Sequence, residues 1–165
     1  VRVFDCRSAF GHGICIGSEI SGGIEDVAVW DCDLANSQFG VMVKGTRKRG
    51  GGVTGLSVRR CTLPRVMVCQ VGYNDDGVPG PRPPIFREML FEDLTLTGRC
   101  LDADQALDGG QGGGFAPCVP IQLEGFDGAG YELQDVTLRR IALAGGGTVQ
   151  LARCKGVSLE DVRTV

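Results

Sequence analysis

The sequence lacks the features that mark membrane and nucleic-acid-binding proteins. None of its apolar runs is long enough to cross a bilayer. Its 17 basic and 20 acidic side chains give a net charge of −3, so no basic excess would attract a polyanion such as DNA. We therefore expect no membrane partner and no nucleic-acid partner.

Histidine is almost absent, and this bears on metal sites. His12 is the only one in the chain. The eight cysteines contain no C-x-x-C pair, and none has a histidine partner at zinc spacing. The acidic residues show no cluster that would ligate calcium along one strand. We expect no metal and no cofactor.

The cysteines themselves are better explained by packing. Cys6, Cys32 and Cys61 share one position of a sequence repeat, which predicts a buried ladder of free thiols acting as small hydrophobic residues. So many free thiols favour a reducing compartment. The best candidate for a disulfide is Cys100–Cys118, which would close a glycine-rich loop.

The chain also lacks a convincing helical pattern, and a repeat takes its place. Six segments have apolar first and third residues, the period of a strand. Their starts lie 26, 29, 33, 47 and 21 residues apart, which is typical of a solenoid. The segments cover residues 1–6, 27–32, 56–61, 89–94, 136–141 and 157–162.

A second short strand follows most of the repeats, with apolar flanks that we place inward and a middle residue that we place outward. Two strands per repeat and no helix predict an all-β parallel β-helix, with coils about 4.8 Å apart. A propeller would need regular hairpin turns. We predict one domain over residues 1–165, with about six coils and loop excursions near 74–85 and 102–117. The second strands are residues 14–16, 41–43, 66–68, 121–123 and 149–151.

The fourth and fifth positions of the repeat predict a bend and two charge ladders. The sixth position is apolar or cysteine, which breaks strict alternation and indicates a bend or bulge just before it. From the third repeat onward, both columns alternate between arginine and an acidic residue. Opposite charges on adjacent strands stabilise by roughly 0.2–1 kcal/mol per pair, so we interpret the columns as solvated ladders that fix the register.

The first residues predict a missing neighbour. Val1 opens inside a strand pattern, with no initiator methionine and no signal sequence before it. We expect the chain to be the C-terminal part of a longer, N-terminally truncated protein. Its exposed N-terminal coil end would then offer unpaired strand edges for self-association.

Two motifs resemble the polygalacturonase family, glycoside hydrolase family 28. Residues 11–18, Gly-His-Gly-Ile-Cys-Ile-Gly-Ser, are similar to its G-H-G-I-S-I-G-S motif. Residues 40–44, Gly-Val-Met-Val-Lys, resemble the G-[IL]-R-I-K segment that follows, and a basic, glycine-rich run over residues 47–52 comes next, as in the family. The resemblance covers the chain to about Gly98.

The resemblance implies a right-handed, single-stranded parallel β-helix of the pectin-lyase-like type that hydrolyses α-1,4-galacturonosyl linkages with inversion. The substrate would be a pectic polysaccharide or oligogalacturonide, and the protein would be secreted. Inversion needs an acid and a base carboxyl. The family takes these from N-T-D and D-D motifs upstream of G-H-G, so we expect both to be absent here and the chain to be inactive alone. We interpret Asp75-Asp76 as a turn pair.

The resemblance also assigns roles to site residues. His12 would contact the substrate and tune the catalytic aspartates, and Lys44 would bind a galacturonate carboxylate from the neighbouring strand. The family arginine is replaced by Met42, which removes a bidentate clamp. Arg47 or Arg49 could compensate from the adjacent turn, or could belong to a solvated basic loop.

Tyr73 and Asn74 are candidates for the cleft wall, since an aromatic ring and an amide are common sugar-binding groups.

Two alternatives to the hydrolase stay open. One is a non-catalytic β-helix that serves as a carbohydrate-binding or structural module. The other, less favoured, is a calcium-dependent pectate lyase, which would need clustered acidic ligands.

Overall fold

The computed structural model describes residues 1–72, 81–102 and 114–165, which form strands and no helix. Tyr73, Asn74 and the Asp75-Asp76 pair lie outside the described residues. None of the described residues belongs to a helix suited to spanning a bilayer. The strands are β1 (Arg2–Phe4), β2 (Gly13–Ile16), β3 (Ile24–Trp30), β4 (Gly40–Gly45), β5 (Gly52–Leu63), β6 (Arg65–Gln70), β7 (Ile85–Leu96), β8 (Arg99–Leu101), β9 (Phe115–Pro117), β10 (Ile121–Glu124), β11 (Leu133–Leu143), β12 (Val149–Ala152) and β13 (Cys154–Thr164).

The strands form two parallel sheets, as the repeat predicts. The long-strand sheet has the order β1-β3-β5-β7-β11-β13, and the short-strand sheet has the order β2-β4-β6-β10-β12. The chain visits the two sheets alternately, so each coil stacks on the one before it. The fold is a right-handed parallel β-helix, which confirms the prediction.

Between the sheets lies an apolar core built from inward-facing columns. On the short strands seven of the ten predicted inward positions are buried, among them Val41, Val43, Val66 and Val68. Each pairs with its equivalent on the next coil, as in Val41 with Val66 and Val43 with Val68. The prediction fails on the two outermost short strands, where Ile14 and Val149 are half-buried and Leu151 is exposed. Because equivalent apolar residues stack on each other, the packing of the core is similar from one coil to the next.

The predicted bend lies at the fifth repeat position. All six residues there have φ between 48° and 55°, the left-handed conformation that aspartate tolerates better than most side chains. A second column of left-handed residues stands just before the repeat and was not predicted. The fifth positions are Asp5, Asp31, Arg60, Asp93, Arg140 and Asp161, and the second column is Asp26, Gly55, Glu88, Asp135 and Gly156.

The predicted charge ladders are present in register. Arg59 pairs with Glu92, and Glu92 with Arg139 on the following coil. Glu92 is only 8% exposed and accepts hydrogen bonds from Arg139 (Nε, 2.8 Å) and Arg140 (Nη2, 2.6 Å). In the column of fifth repeat positions, Arg60 donates a 2.7 Å hydrogen bond to Asp31 and so neutralises that carboxylate.

The cysteine column is buried only in part. Cys32 and Cys61 are 3% exposed, and the column continues through Leu94 and Ile141. Cys6 is exposed, which corrects the prediction of a fully buried ladder. Its strand is the outermost of the long-strand sheet, so one side of the thiol has no neighbouring coil.

The excursion near 102–117 begins from a crosslinked hairpin. Cys100 and Cys118 form a disulfide, the candidate favoured by the sequence. Strands β8 and β9 pair antiparallel beside it, so residues 115–117 belong to a strand and not to a loop. With a disulfide present, the inference of a reducing compartment from the thiol count is not supported.

The Glu92 cluster predicts a pH-dependent contribution to stability. Replacing Glu92 with glutamine should lower the free energy of unfolding by about 1–3 kcal/mol at neutral pH, because three arginines then lose the negative charge that they share. Hydrogen bonds from Arg139 and Arg140 hold the pKa of Glu92 below its ordinary value of 4.5. The contribution of Glu92 to stability is therefore complete above about pH 4.5 and is lost as the pH falls through its lower pKa in the folded state.

Chemical denaturation of the wild type and Glu92→Gln at a series of pH values measures this difference. Glu160→Gln is the matched control, since it lies in the same column but is exposed. A gap between wild type and Glu92→Gln that persists unchanged below the carboxyl range would contradict the assignment.

Candidate functional site

The family motifs meet on the outward face of the short-strand sheet. Because the flanking residues of each short strand point into the core, the middle residues face away from it. Strand pairing aligns Cys15 with Met42, Met42 with Met67, and Met67 with Gln122. Cys15 is exposed and Gln122 half-buried, as predicted, but Met42 is only 6% exposed. This face, from β2 to β6, is called the outer face below.

His12 stands at the edge of the outer face, directly before β2. It is exposed, and its ring stacks on that of Phe39 with centroids 5.8 Å apart and an interplanar angle of 28°. Backbone bonds hold the two segments together, from Phe39 N to the His12 carbonyl (3.1 Å) and from Gln38 N to the Gly11 carbonyl (2.8 Å). Within the described chain its ring nitrogens make no hydrogen bond, so they are available to a ligand.

The glycines of the motif have two distinct uses. Gly11 has φ +97° and open space around it, so it keeps the approach to His12 clear. A Cβ at Gly13 would lie 2.5 Å from the Gly40 carbonyl oxygen, and one at Gly17 would lie 1.9 Å from that of Lys44. These two glycines therefore allow β2 to approach β4 closely.

Lys44 lies toward the other end of the outer face. It is half-buried on β4 and pairs with Cys69. Burial raises the pKa of Cys15, which the charge of Lys44 partly opposes, and burial raises the pKa of Cys69 to about 11. Both thiols are therefore protonated at neutral pH, and neither supplies an anion to the site.

The register separates His12 from Lys44. Lys44 lies five positions along from the row of His12 and Phe39, about 17 Å between Cα atoms at most for a straight strand. This spacing suits an extended ligand, such as an oligosaccharide, that contacts one of the two residues near each end. The two residues share a face, as predicted, but they occupy different parts of it.

The other predicted cations are held elsewhere. Arg47 reaches Asp127, with a 3.4 Å bond to its carbonyl and a 4.0 Å ion pair. Arg49 pairs with Glu19 at 3.7 Å. The structure thus does not bring either arginine into the place left by Met42. Tyr73 and Asn74 cannot be placed, because both fall within 73–80, beyond what the structure describes.

One cation on the outer face escaped the sequence reasoning. Arg65 begins β6 and pairs with Gly40, which in turn pairs with Gly13. Its guanidinium lies over the ring of Phe39, 4.8 Å from the centroid, so that Phe39 stands between it and His12. The available signal was its position, two residues before the outward Met67 on the third short strand.

The described residues offer no metal site, since no three His, Cys, Asp or Glu side chains among them come together. What the outer face offers instead is an exposed imidazole, two cations and an apolar, sulfur-rich floor. This combination can hydrogen-bond sugar hydroxyls and bind carboxylates.

Comparison with known proteins identifies the part of the chain that carries these residues. The family model for glycosyl hydrolases family 28 matches residues 1–76. A probable polygalacturonase from Vitis vinifera is 32% identical over 110 residues, which cover 60% of this chain and 22% of the relative. The chain thus spans about a fifth of that relative's length.

Two solved structures share the fold of this chain. An exopolygalacturonase from Thermotoga maritima superposes with a TM-score of 0.67 and 17% identity, over 96% of this chain and 34% of that one. A family 28 exopolygalacturonase from Yersinia enterocolitica gives 0.69 and 18%, over 97% and 27%. At these identities the likeness establishes the β-helix fold and gives no evidence of the chemistry.

The motif glycines give a test of how the site is built. Gly11 and Gly17 have nearly the same φ, +97° and +98°, but only Gly17 faces a backbone carbonyl. Gly11→Ala should cost about 1–3 kcal/mol of unfolding free energy from backbone strain alone. Gly17→Ala should cost about 1–3 kcal/mol more, since β2 and β4 must separate.

Equilibrium denaturation of the two variants measures this difference directly. The strain at the two positions is matched, so the excess at Gly17 reports the strand contact. Equal losses in both variants would mean that close approach of β2 and β4 is not required.

Proposed function

We propose that this chain forms the substrate-binding part of a polygalacturonase-type glycoside hydrolase, which acts on α-1,4-galacturonosyl linkages of pectin. The observation that carries the proposal is the outer face itself. There the two family motifs lie side by side, with His12 exposed at one edge and Lys44 on the adjacent strand. A polymer with a carboxylate on every sugar suits a face whose charges are cationic.

The chemistry of an inverting hydrolase divides between two carboxyl groups. One protonates the leaving oxygen, and the other activates a water on the opposite side of the sugar, about 6.5–9.5 Å away. In our proposal these carboxyls are the family's aspartates, which the 165-residue sequence does not carry as an N-T-D motif. His12 would hydrogen-bond the substrate beside them and influence their protonation. The chain alone would bind oligogalacturonides without cleaving them.

Met42 favours a second candidate, a non-catalytic carbohydrate-binding module on the same β-helix. It stands where the family has arginine and is nearly buried, so it offers no group to a carboxylate. The flanking Cys15 and Met67 make this part of the face sulfur-rich. Loss of the arginine could follow loss of catalysis, or it could reflect a cation supplied from another strand.

We propose that the protein is exported. Its pectic substrate lies outside cells, and the Cys100–Cys118 disulfide supports an oxidising compartment.

His12 can be tested by separating turnover from folding. In a protein that joins this chain to the family's aspartates, His12→Ala should lower turnover of polygalacturonate by about 10–100-fold, because the group beside the acid and base is lost. The melting temperature should stay unchanged, since the ring is exposed. Reducing-end assays and thermal melts give the two values.

Arg7→Ala is the control, an exposed residue of the same coil with an ion pair to Asp33. Parallel loss of turnover and stability in His12→Ala would instead indicate a structural histidine. Full retained turnover would show that His12 takes no part in the reaction, and absence of turnover in the unsubstituted joined protein would favour the binding-module candidate.

Lys44 tests the recognition of charge. Lys44→Met should weaken binding of an oligogalacturonide by about tenfold, since a charge-assisted hydrogen bond is lost. Binding of the methyl-esterified, uncharged oligomer should change less than about threefold, because it offers no carboxylate to lose. Isothermal titration calorimetry with both ligands measures the difference.

Lys155→Met is the control, an exposed lysine on β13 of the long-strand sheet. Equal weakening for both ligands would argue against a carboxylate at Lys44. If the wild-type chain bound neither ligand, the proposed function would be wrong.

A further inference from the structure

Arg65 differs from the arginines of the charge ladders because it forms no ion pair with an acidic side chain of the described residues. Arg59, Arg60, Arg139 and Arg140 all pair with carboxylates. Arg65 makes no ion pair or hydrogen bond in the described chain, and its Nε is buried without a partner. Buried polar nitrogens in folded proteins are almost always paired, so an orphan of this kind calls for an explanation.

The titratable neighbour of Arg65 does not supply a negative charge. Cys69, two positions beyond Met67 on the same strand, is the titratable group whose charge would act on it. Burial holds the pKa of Cys69 near 11, so the thiol is neutral at physiological pH. Burial also lowers the pKa of Arg65, yet a guanidinium remains charged in proteins. The result is a cation, partly removed from water, with no anion beside it.

The guanidinium is nevertheless held in place. It lies 4.8 Å from the centroid of Phe39, within the range of a cation–π contact, and Phe39 stacks on His12. Gly40 and Gly13 are the register neighbours of Arg65, so no side chain stands across β4 and β2 at this row. A planar donor group is thus fixed over the edge of the outer face where His12 is exposed.

Arg65 also lies near the place that Met42 leaves without a charge. Met42 pairs with Met67, two residues after Arg65, which puts the Cα atoms of Arg65 and Met42 about 8 Å apart. The guanidinium lies over Phe39, three residues before Met42, so its charge stands on the His12 side of the place where the family has arginine. Arg47 and Arg49, the alternatives suggested by sequence, are paired with acidic residues elsewhere.

We propose that Arg65 is a substrate-binding residue, and that its guanidinium binds the carboxylate of a uronate unit at the His12 end of the outer face. It supplies from the third short strand the bidentate clamp that Met42 cannot provide. The inference rests on the proposed function and names a residue of that same site. Phe39 acts as a positioning residue that holds the fork flat.

The proposal also sets the size of the ligand. Arg65 and Lys44 lie on adjacent strands, four positions apart, or about 14 Å between Cα atoms. Carboxylates on different sugars of one oligomer can each meet one of the two cations. An oligomer with several uronate units can bind both, so it should bind far more tightly than the free monosaccharide.

Arg65→Gln is the direct test, with binding of an oligogalacturonide and of its methyl-esterified form measured by calorimetry. We expect about tenfold weaker binding of the acidic oligomer and less than about threefold change for the esterified one. Arg65→Lys should recover only part of the affinity, because a lysine is not a fork. Arg99→Gln is the control, an exposed arginine on β8 of the hairpin.

Stability separates a binding role from a structural one. Because Arg65 loses no ion pair or hydrogen bond within the described chain, and only its contact with Phe39, Arg65→Gln should leave the melting temperature within about 2 °C of the wild type. A clear drop in both Arg65→Gln and Arg65→Lys would assign the residue to the fold and overturn the proposal. Unchanged or equally reduced affinity for the two ligands in Arg65→Gln would overturn it as well.

Failure of this inference can be told apart from failure of the proposed function. If the wild-type chain binds the acidic oligomer and Lys44→Met weakens it while Arg65→Gln does not, only the role of Arg65 is wrong. If the wild-type chain binds neither oligomer, both ideas fail together.

Discussion

The structure depends on parallel backbone hydrogen bonding between successive coils. It fixes each residue of one coil beside its equivalent on the next, so a sequence position becomes a column in space. The columns then decide everything else. Apolar columns such as Val41 and Val66 fill the core, the Arg59–Glu92–Arg139 column fixes the register, and the middle column of the short strands forms the outer face.

Much of this could be predicted because a solenoid turns local pattern into global structure. The bend at Asp31 and its equivalents followed from a break in alternation, and the ladder at Glu92 followed from the order of charges alone. Both are nearest-neighbour properties of the repeat. The antiparallel hairpin of β8 and β9 was not predicted, because it departs from the repeat, and only its cysteines gave a hint.

The site was harder to predict, for a different reason. Sequence motifs placed His12 and Lys44 on one face, but not their separation along it, which depends on the exact register of β2 and β4. Arg65 has no motif. Its interest lies in what surrounds it, namely the Phe39 ring, glycines at the same row of the sheet and no acidic partner among the described residues. Met42 lies on the outward side in register with Cys15 and Met67, yet it is only 6% exposed, and no alternation pattern can show this.

The central claim is that the outer face of the short-strand sheet binds a uronate oligomer between Arg65 and Lys44, with His12 at one edge. The most direct measurement is a crystal structure of the chain with a bound oligogalacturonide. Our account predicts carboxylates within hydrogen-bond distance, about 3 Å, of both cations, and a sugar beside His12. An oligomer bound elsewhere, for example in the shallow depression lined by Ser21, Gly51 and Ile85, would contradict it.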